Sequence, residues 1–254
     1  MIELVALDAD DTLWHNEPLF RTTQEQFRDL LSRYVEPGLV EERLNETERR
    51  NLEHFGYGVK GFVLSMIETG LDLTDGRIEG ADVRTIIEWG RDMLRSPVEL
   101  LDGAREAVEE LAASFPLILL TKGDLFHQES KLARSGLGQY FVGVEIVSEK
   151  DAELYRSVMR RYRVAPERFV MVGNSLRSDI LPVLEAGAHA VHVPYAVTWV
   201  HEQVPPEALQ DAHYHEILEL KDLAALLRRL SASGPRTSAS GNEASDADRP
   251  ATSS

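Results

Sequence analysis

The chain has 254 residues, of which 43% are hydrophobic and 28% charged, with no cysteine and a formal net charge of −16. That length suits one large domain or a core with a smaller companion, and the missing cysteine excludes disulfides and thiolate metal sites. A surface this negative repels nucleic acid and anionic lipid at long range, so neither is an expected partner. No apolar run approaches the roughly 20 residues of a bilayer span, and no basic-then-apolar leader opens the chain. The expectation is a cytoplasmic protein, monomeric or homodimeric. An anionic substrate would need a locally cationic pocket, made by a metal ion and one or two lysines.

Residues 4–7 are a continuous apolar run, the pattern of a strand buried on both faces of a parallel sheet. The run ends in Asp8, Asp10 and Asp11. Strand side chains alternate, so Asp8 and Asp10 emerge on one side as the strand runs out. Two carboxylates 4 Å apart repel by about 4 kcal/mol at an effective dielectric near 20, which calls for a compensating cation.

Residues 18–95 read as helical. Phe20, Phe27, Leu30, Leu31 and Tyr34 keep to the helical period, Pro37 and Gly38 are expected to close that helix, and 39–54 form a second. Glycines 56, 58 and 61 interrupt the pattern, and helices resume at 62–70 and 80–95. This block of about 75 residues contains no convincing strand and reads as a helical insertion (15–97) in a core made of 1–14 and 98–230. From residue 101 helix and strand alternate: strands at 117–120, 144–147, 169–172 and 190–193 lie between helices at 102–114, 125–135, 151–163 and 178–187. This alternation implies right-handed crossovers and a parallel sheet covered on both faces, with ligands bound beyond the strands' carboxyl ends. A last helix is expected at 219–230, and the small polar residues of 231–254 read as a disordered tail.

The residues just beyond each strand point to one site. Asp8 and Asp10 come after the first strand, and Thr121, Lys122, Gly123 and Asp124 after the second. Ser148, Glu149 and Lys150 come after the third; Gly173, Asn174 and Ser175, then Asp179, come after the fourth. Each has a plain alternative as a helix cap, a turn residue or a solvated charge, but four such groups in order along one rim make a joint functional reading the better one.

The pattern resembles the haloacid dehalogenase-like hydrolases. Asp8-Ala9-Asp10-Asp11-Thr12 matches their first motif, Thr121 the second, Lys150 the third, and Gly173-Asn174 with Asp179 the last acidic motif. The resemblance, over about residues 1–230, implies an α/β fold: a Rossmann-like parallel sheet with an inserted α-helical cap closing over a small substrate. It implies a phosphatase in which Asp8 attacks phosphorus and becomes a transient aspartyl phosphate. Asp10 would protonate the leaving oxygen and then take a proton from water. Mg²⁺ would be held by Asp8, the Asp10 carbonyl and the last motif, with Thr121, Lys122 and Lys150 on the phosphoryl oxygens. Thr12 is expected to fix the turn. The family usually has Asp at the position of Asn174, which leaves open whether Asn174 or Asp179 is the direct metal ligand, with Asp179 ranked first.

Family dehalogenases lack the second Asp of the first motif, because halide needs no general acid, so Asp10 favours a phosphate ester. A phosphomutase, a response-regulator receiver and a catalytically silent binding protein are the other readings. The receiver carries its phospho-accepting Asp after a middle strand and has no helical insertion. Lys60, in the glycine-rich break with Tyr57, is expected to reach the substrate's leaving group, the alternative being a plain turn. Trp14 is expected to pack under the cap, the alternative being a place in the pocket lining, and the eight histidines have no assigned role. The substrate is read as a small organic phosphate monoester, its identity open.

Overall fold

The computed structural model describes residues 1–197 and 199–232. Of the tail 231–254, residues 231 and 232 close the final helix and the rest lie outside the described residues. Six parallel strands, β1 (Leu4–Leu7), β2 (Leu117–Lys122), β3 (Gly143–Val147), β4 (Phe169–Gly173), β5 (His189–His192) and β6 (His215–Glu216), form one sheet in the order β3-β2-β1-β4-β5-β6. The order reverses at β1 and β4, so the crevice between their carboxyl ends is the natural binding position.

Alternation along the strands builds two cores. Val5, Leu7, Leu117, Leu119, Val170 and Val172 face one side, against α5 (Ala104–Ala112) and α9 (Leu223–Ala232). Leu4, Ala6, Ile118, Leu120, Phe169 and Met171 face the other, against α7 (Ala152–Tyr162) and α8 (Leu181–Glu185). Fully burying each of the larger side chains contributes about 1.5–3 kcal/mol, so both faces of β1 hold it in place. This is why its sequence is apolar without interruption.

Helices α1 (Glu17–Leu31), α2 (Pro37–Phe55), α3 (Val59–Leu73) and α4 (Gly80–Arg95) share a third core around Phe27, Leu31, Phe62, Met66 and Ile86. Two antiparallel connections join this unit to the sheet: His15 N–H donates to Glu99 O at 2.9 Å and Leu101 N–H to Leu13 O at 3.0 Å. Pro37 opens α2 instead of closing the helix before it, because a first-turn residue needs no N–H partner. Trp14 lies in the sheet's own core, fully buried, and borders a small cavity shared with Leu19, Phe20, Val59 and Met93 of the helical unit. The strand β6 has no signal in the sequence; at two residues it is too short to show a period. Helix α6 (Leu125–Ser135) falls where expected. Among the described residues no helix is long and apolar enough to cross a membrane.

Candidate active site

A cleft of about 160 Å³ lies over the β1/β4 crevice, between the sheet's carboxyl rim and the four-helix unit. Asp8, Asp10, Thr121, Lys122, Lys150, Asn174 and Asp179 all line it. Lys60 is not part of that lining. Its ammonium reaches back to both carboxylate oxygens of Asp124, at 3.0 and 2.9 Å, and ties α3 to the start of α6, although Gly56, Tyr57, Gly58 and Gly61 of its loop do face the cleft.

Asp8 is the first residue beyond β1, held by its N–H to Val172 O at 2.9 Å. Lys150 Nζ donates to Asp8 Oδ1 and to Asp179 Oδ1, each at 2.6 Å, and all three side chains are buried. Burial pushes the Asp8 carboxyl up to about 7, against the pull of Lys150 and with the fields of Asp179 and Asp10. Burial would lower Lys150, but the charges of Asp179 and Asp8 outweigh it and hold the ammonium above its ordinary range.

Local chain chemistry sets Asp179. After β4 the chain makes a wide helical turn, Leu176–Ile180, of the kind common at functional sites. Ser175 caps it, Oγ accepting from Ser178 N–H at 3.0 Å, and Asp179 Oδ2 accepts from Ser175 N–H at 3.0 Å. Pro182 has no N–H for Ser178 O, so that carbonyl is free to accept from the Tyr155 hydroxyl at 2.8 Å. Only glycine fits at 173, since a Cβ there would stand 2.2 Å from Asp179 Oδ2.

Thr12 does more than shape a turn. Its hydroxyl lies 3.3 Å from Asp8 Oδ2 and 3.2 Å from Asn174 Oδ1, and it accepts from Asn174 N–H at 3.1 Å. One hydroxyl hydrogen cannot serve two acceptors fully, so two hard oxygen donors converge with too little positive charge between them. That donor chemistry suits a hard divalent cation. No group of three His, Cys, Asp or Glu side chains is placed to hold a metal among the described residues, so such a site would be completed by the Asn174 amide and main-chain carbonyls. Both oxygens of Asp179 accept hydrogen bonds, Oδ1 from Lys150 Nζ and Oδ2 from Ser175 N–H, as both oxygens of Asp8 do from Lys150 Nζ and the Thr12 hydroxyl.

Asp10 turns toward α6. Its carboxylate accepts from Trp14 Nε1 at 2.6 Å, Lys131 Nζ at 2.5 Å and Gln128 Nε2 at 2.9 Å. Burial alone would raise its carboxyl; the Lys131 charge and these three donors hold it below the ordinary carboxylate range. Sequence reading missed Lys131, Gln128 and the Trp14 donor. The available signal was the Gln128–Lys131 spacing of three, which puts both on one face of α6. Asp11, at φ 59°, accepts from the N–H groups of Asn16 and Glu17 and so starts α1. Lys122 sits on the wall, paired with Glu202 and bonded to Ser178 Oγ at 2.8 Å. Thr121 is 1% exposed and accepts from Gln128 Nε2 only at 3.4 Å.

On the opposite wall Glu17 and Glu48 are both pushed to about 8, chiefly by burial, with Asp11 adding to the first and Glu17 to the second. A carboxyl near 8 in the fold and near 4.5 when unfolded keeps its proton only in the fold, so stability falls as pH rises through that window. His127, pushed down to about 4 by burial, acts oppositely, as do His201 and His215, but histidines finish titrating near 6.5. Metal-free protein is therefore expected to lose stability between pH 6.5 and 8, with Asp8 and Asp11, each pushed to about 7 chiefly by burial, adding to the loss and Glu48→Gln flattening the slope. Urea unfolding at the two pH values measures this, and a flat or rising wild-type profile would contradict it.

Residues 2–187 match the haloacid dehalogenase-like hydrolase family. A solved haloacid dehalogenase-like family hydrolase from Xanthomonas campestris is 44% identical with a TM-score of 0.82, covering 91% of this chain and 92% of that one. A glyceraldehyde 3-phosphate phosphatase of Methanopyrus kandleri is 25% identical over 241 residues, covering 91% of this chain and 99% of the relative. A phosphoserine phosphatase of Thermus thermophilus is 25% identical over 240 residues, covering 81% and 91%. With the β1/β4 crevice and the ordered strand-end residues, these matches dispose of the receiver reading: the chain belongs to the haloacid dehalogenase-like hydrolases.

Proposed function

We propose that the protein is a Mg²⁺-dependent phosphatase of small organic phosphate monoesters, working through an aspartyl phosphate on Asp8. The observation that carries this is Asp10: a second carboxylate stands on the same cleft as Asp8 and is oriented by three donors. Displacement of halide has no use for a proton donor at that point, whereas an alkoxide leaving group does. The helices α1–α4 serve as the cap.

Asp8 attacks phosphorus while Asp10 gives its proton to the leaving oxygen. Asp10 then takes a proton from the water that attacks the aspartyl phosphate and releases inorganic phosphate. In the free protein Lys131 keeps Asp10 ionised; a phosphate dianion docked beside it raises that carboxyl toward protonation. Lys150 offsets the charge of Asp8 and Asp179 and stands beside the incoming phosphoryl group, with the Thr121 hydroxyl on the same rim. Asp8, Asn174 and the Asp10 carbonyl would hold Mg²⁺, which supplies charge neutralisation for the phosphoryl oxygens when bound.

Hydrolysis of p-nitrophenyl phosphate with Mg²⁺ or with a chelator tests the reading, with chloride release from 2-chloropropionate in parallel. Mg²⁺-dependent phosphate release without chloride release is the expected result; the reverse pattern defeats the proposal. Lys131→Met removes the charge that holds Asp10 down and leaves its burial. The pH–rate limb set by Asp10 is then expected to move up by about one pH unit or more, read from the pH profile of kcat/KM, and an unmoved limb would take Asp10 out of the proton transfer.

A further inference from the structure

The cap wall of the cleft carries two carboxylates that phosphoryl transfer does not use. Glu17 opens α1 and Glu48 lies in α2; they are 8% and 6% exposed and both line the cleft. Glu48 Oε2 has no hydrogen-bond partner, and among the described residues neither carboxylate takes part in a salt bridge. A buried acceptor left unpaired beside a second carboxylate is a site short of a cationic donor. The upward push on both carboxyls, to about 8, agrees with that shortage. Phe20 and Phe62, with ring centroids 5.1 Å apart, line the same wall and offer apolar surface for a short alkyl chain.

The rest of the lining says what the substrate lacks. Its lysines are committed, Lys122 to Glu202, Lys131 to Asp10, and Lys150 to Asp8 and Asp179, and the described lining contains no arginine. No cation is left over for a substrate carboxylate.

We propose that Glu17 and Glu48 form a leaving-group subsite for a primary ammonium, so that the preferred substrate is an aminoalkyl phosphate without a carboxylate. This rests on the phosphatase reading and adds the class of leaving group to it. An ammonium carries three donors and full charge, enough to engage Glu48 Oε2 and Glu17 together and to keep both ionised. The phosphate end then lies toward Asp8 at the sheet rim.

The test compares kcat/KM for O-phosphoethanolamine, 2-hydroxyethyl phosphate and O-phosphoserine in wild type and Glu48→Gln, with p-nitrophenyl phosphate as the general substrate. Wild type is expected to prefer O-phosphoethanolamine over the hydroxyl analogue by more than about tenfold, mainly through KM, and over O-phosphoserine as well. In Glu48→Gln the first ratio is expected to fall toward one. Equal efficiency, preference for the neutral or carboxylated ester, or an unchanged ratio in a folded variant overturns the subsite. Should Glu48→Gln fail to fold, the wild-type ratio decides by itself. Hydrolysis of p-nitrophenyl phosphate without an amine preference removes only the subsite, whereas no hydrolysis of any ester removes the phosphatase reading and the subsite with it.

Discussion

Asp8→Asn is expected to lower kcat for phosphate-ester hydrolysis by at least about 10⁴-fold, while the protein stays folded. The amide keeps the shape of the carboxylate, so its oxygen still accepts from Lys150 Nζ, which stands 2.6 Å from Asp8 Oδ1. The loss is of the electron pair that attacks phosphorus. Stability should move the other way. Burial already holds the Asp8 carboxyl near 7, so at pH 8 the metal-free fold carries an ionised group that it disfavours. Replacing that group by a neutral one is expected to leave the thermal midpoint at pH 8 unchanged or higher. Turnover and thermal unfolding of the same preparation measure both effects, and residual activity above about 1% would take the nucleophile's role away from Asp8.

Lys150→Met is expected to be costly in both respects. Its ammonium is the shared partner of Asp8 and Asp179, and the residue is only 4% exposed. Methionine fills much of the volume and leaves two buried carboxylates facing each other. Removing one partner of a buried ion pair typically costs about 3–5 kcal/mol, because the remaining charge is uncompensated. The pH dependence carries a definite sign. Without Lys150 the Asp8 carboxyl loses the charge that pulls it down and rises further, so the folded protein takes up a proton that the unfolded chain does not, and the deficit relative to wild type grows as pH increases. Urea unfolding at pH 5 and pH 8 should show the larger loss at pH 8. A loss below about 1 kcal/mol at both values would mean that the triad contributes little to the fold. Activity is expected to fall by about 10²-fold or more through lost stabilisation of phosphoryl charge, seen in kcat at saturating Mg²⁺.

The fold of the sheet and the rim of the site were legible in the chain because both depend on local order. Strands such as Leu4–Leu7 and Phe169–Gly173 are buried on two faces and therefore apolar at every position, and helices of suitable length between them force parallel pairing. In a parallel sheet every carboxyl end lies on one rim, so Asp8, Thr121, Lys150 and Asn174 had to lie close together whatever the details of packing. The charge balance showed equally well that so acidic a cluster needs a cation.

Partner choice was decided in three dimensions. Lys131, Gln128, Glu17 and Glu48 sit on helices where a charged or amide side chain is ordinarily solvated, and nothing in their spacing says what a neighbouring element will bring to them. Trp14 shows the limit plainly. Its size announced burial, but its indole N–H reaches Asp10 only because Trp14 lies in the core below the rim. Lys60 shows the converse, a cation in a glycine-rich loop taken by Asp124 from a helix 64 residues further on. Sequence alone determined the five longer strands, the rim and the residue types assembled there, because strand burial and chain direction are properties of contiguous residues. Only the tertiary structure decided which carboxylate is paired, which is protonated and which stands unpartnered, because those depend on desolvation and on donors delivered by distant parts of the chain.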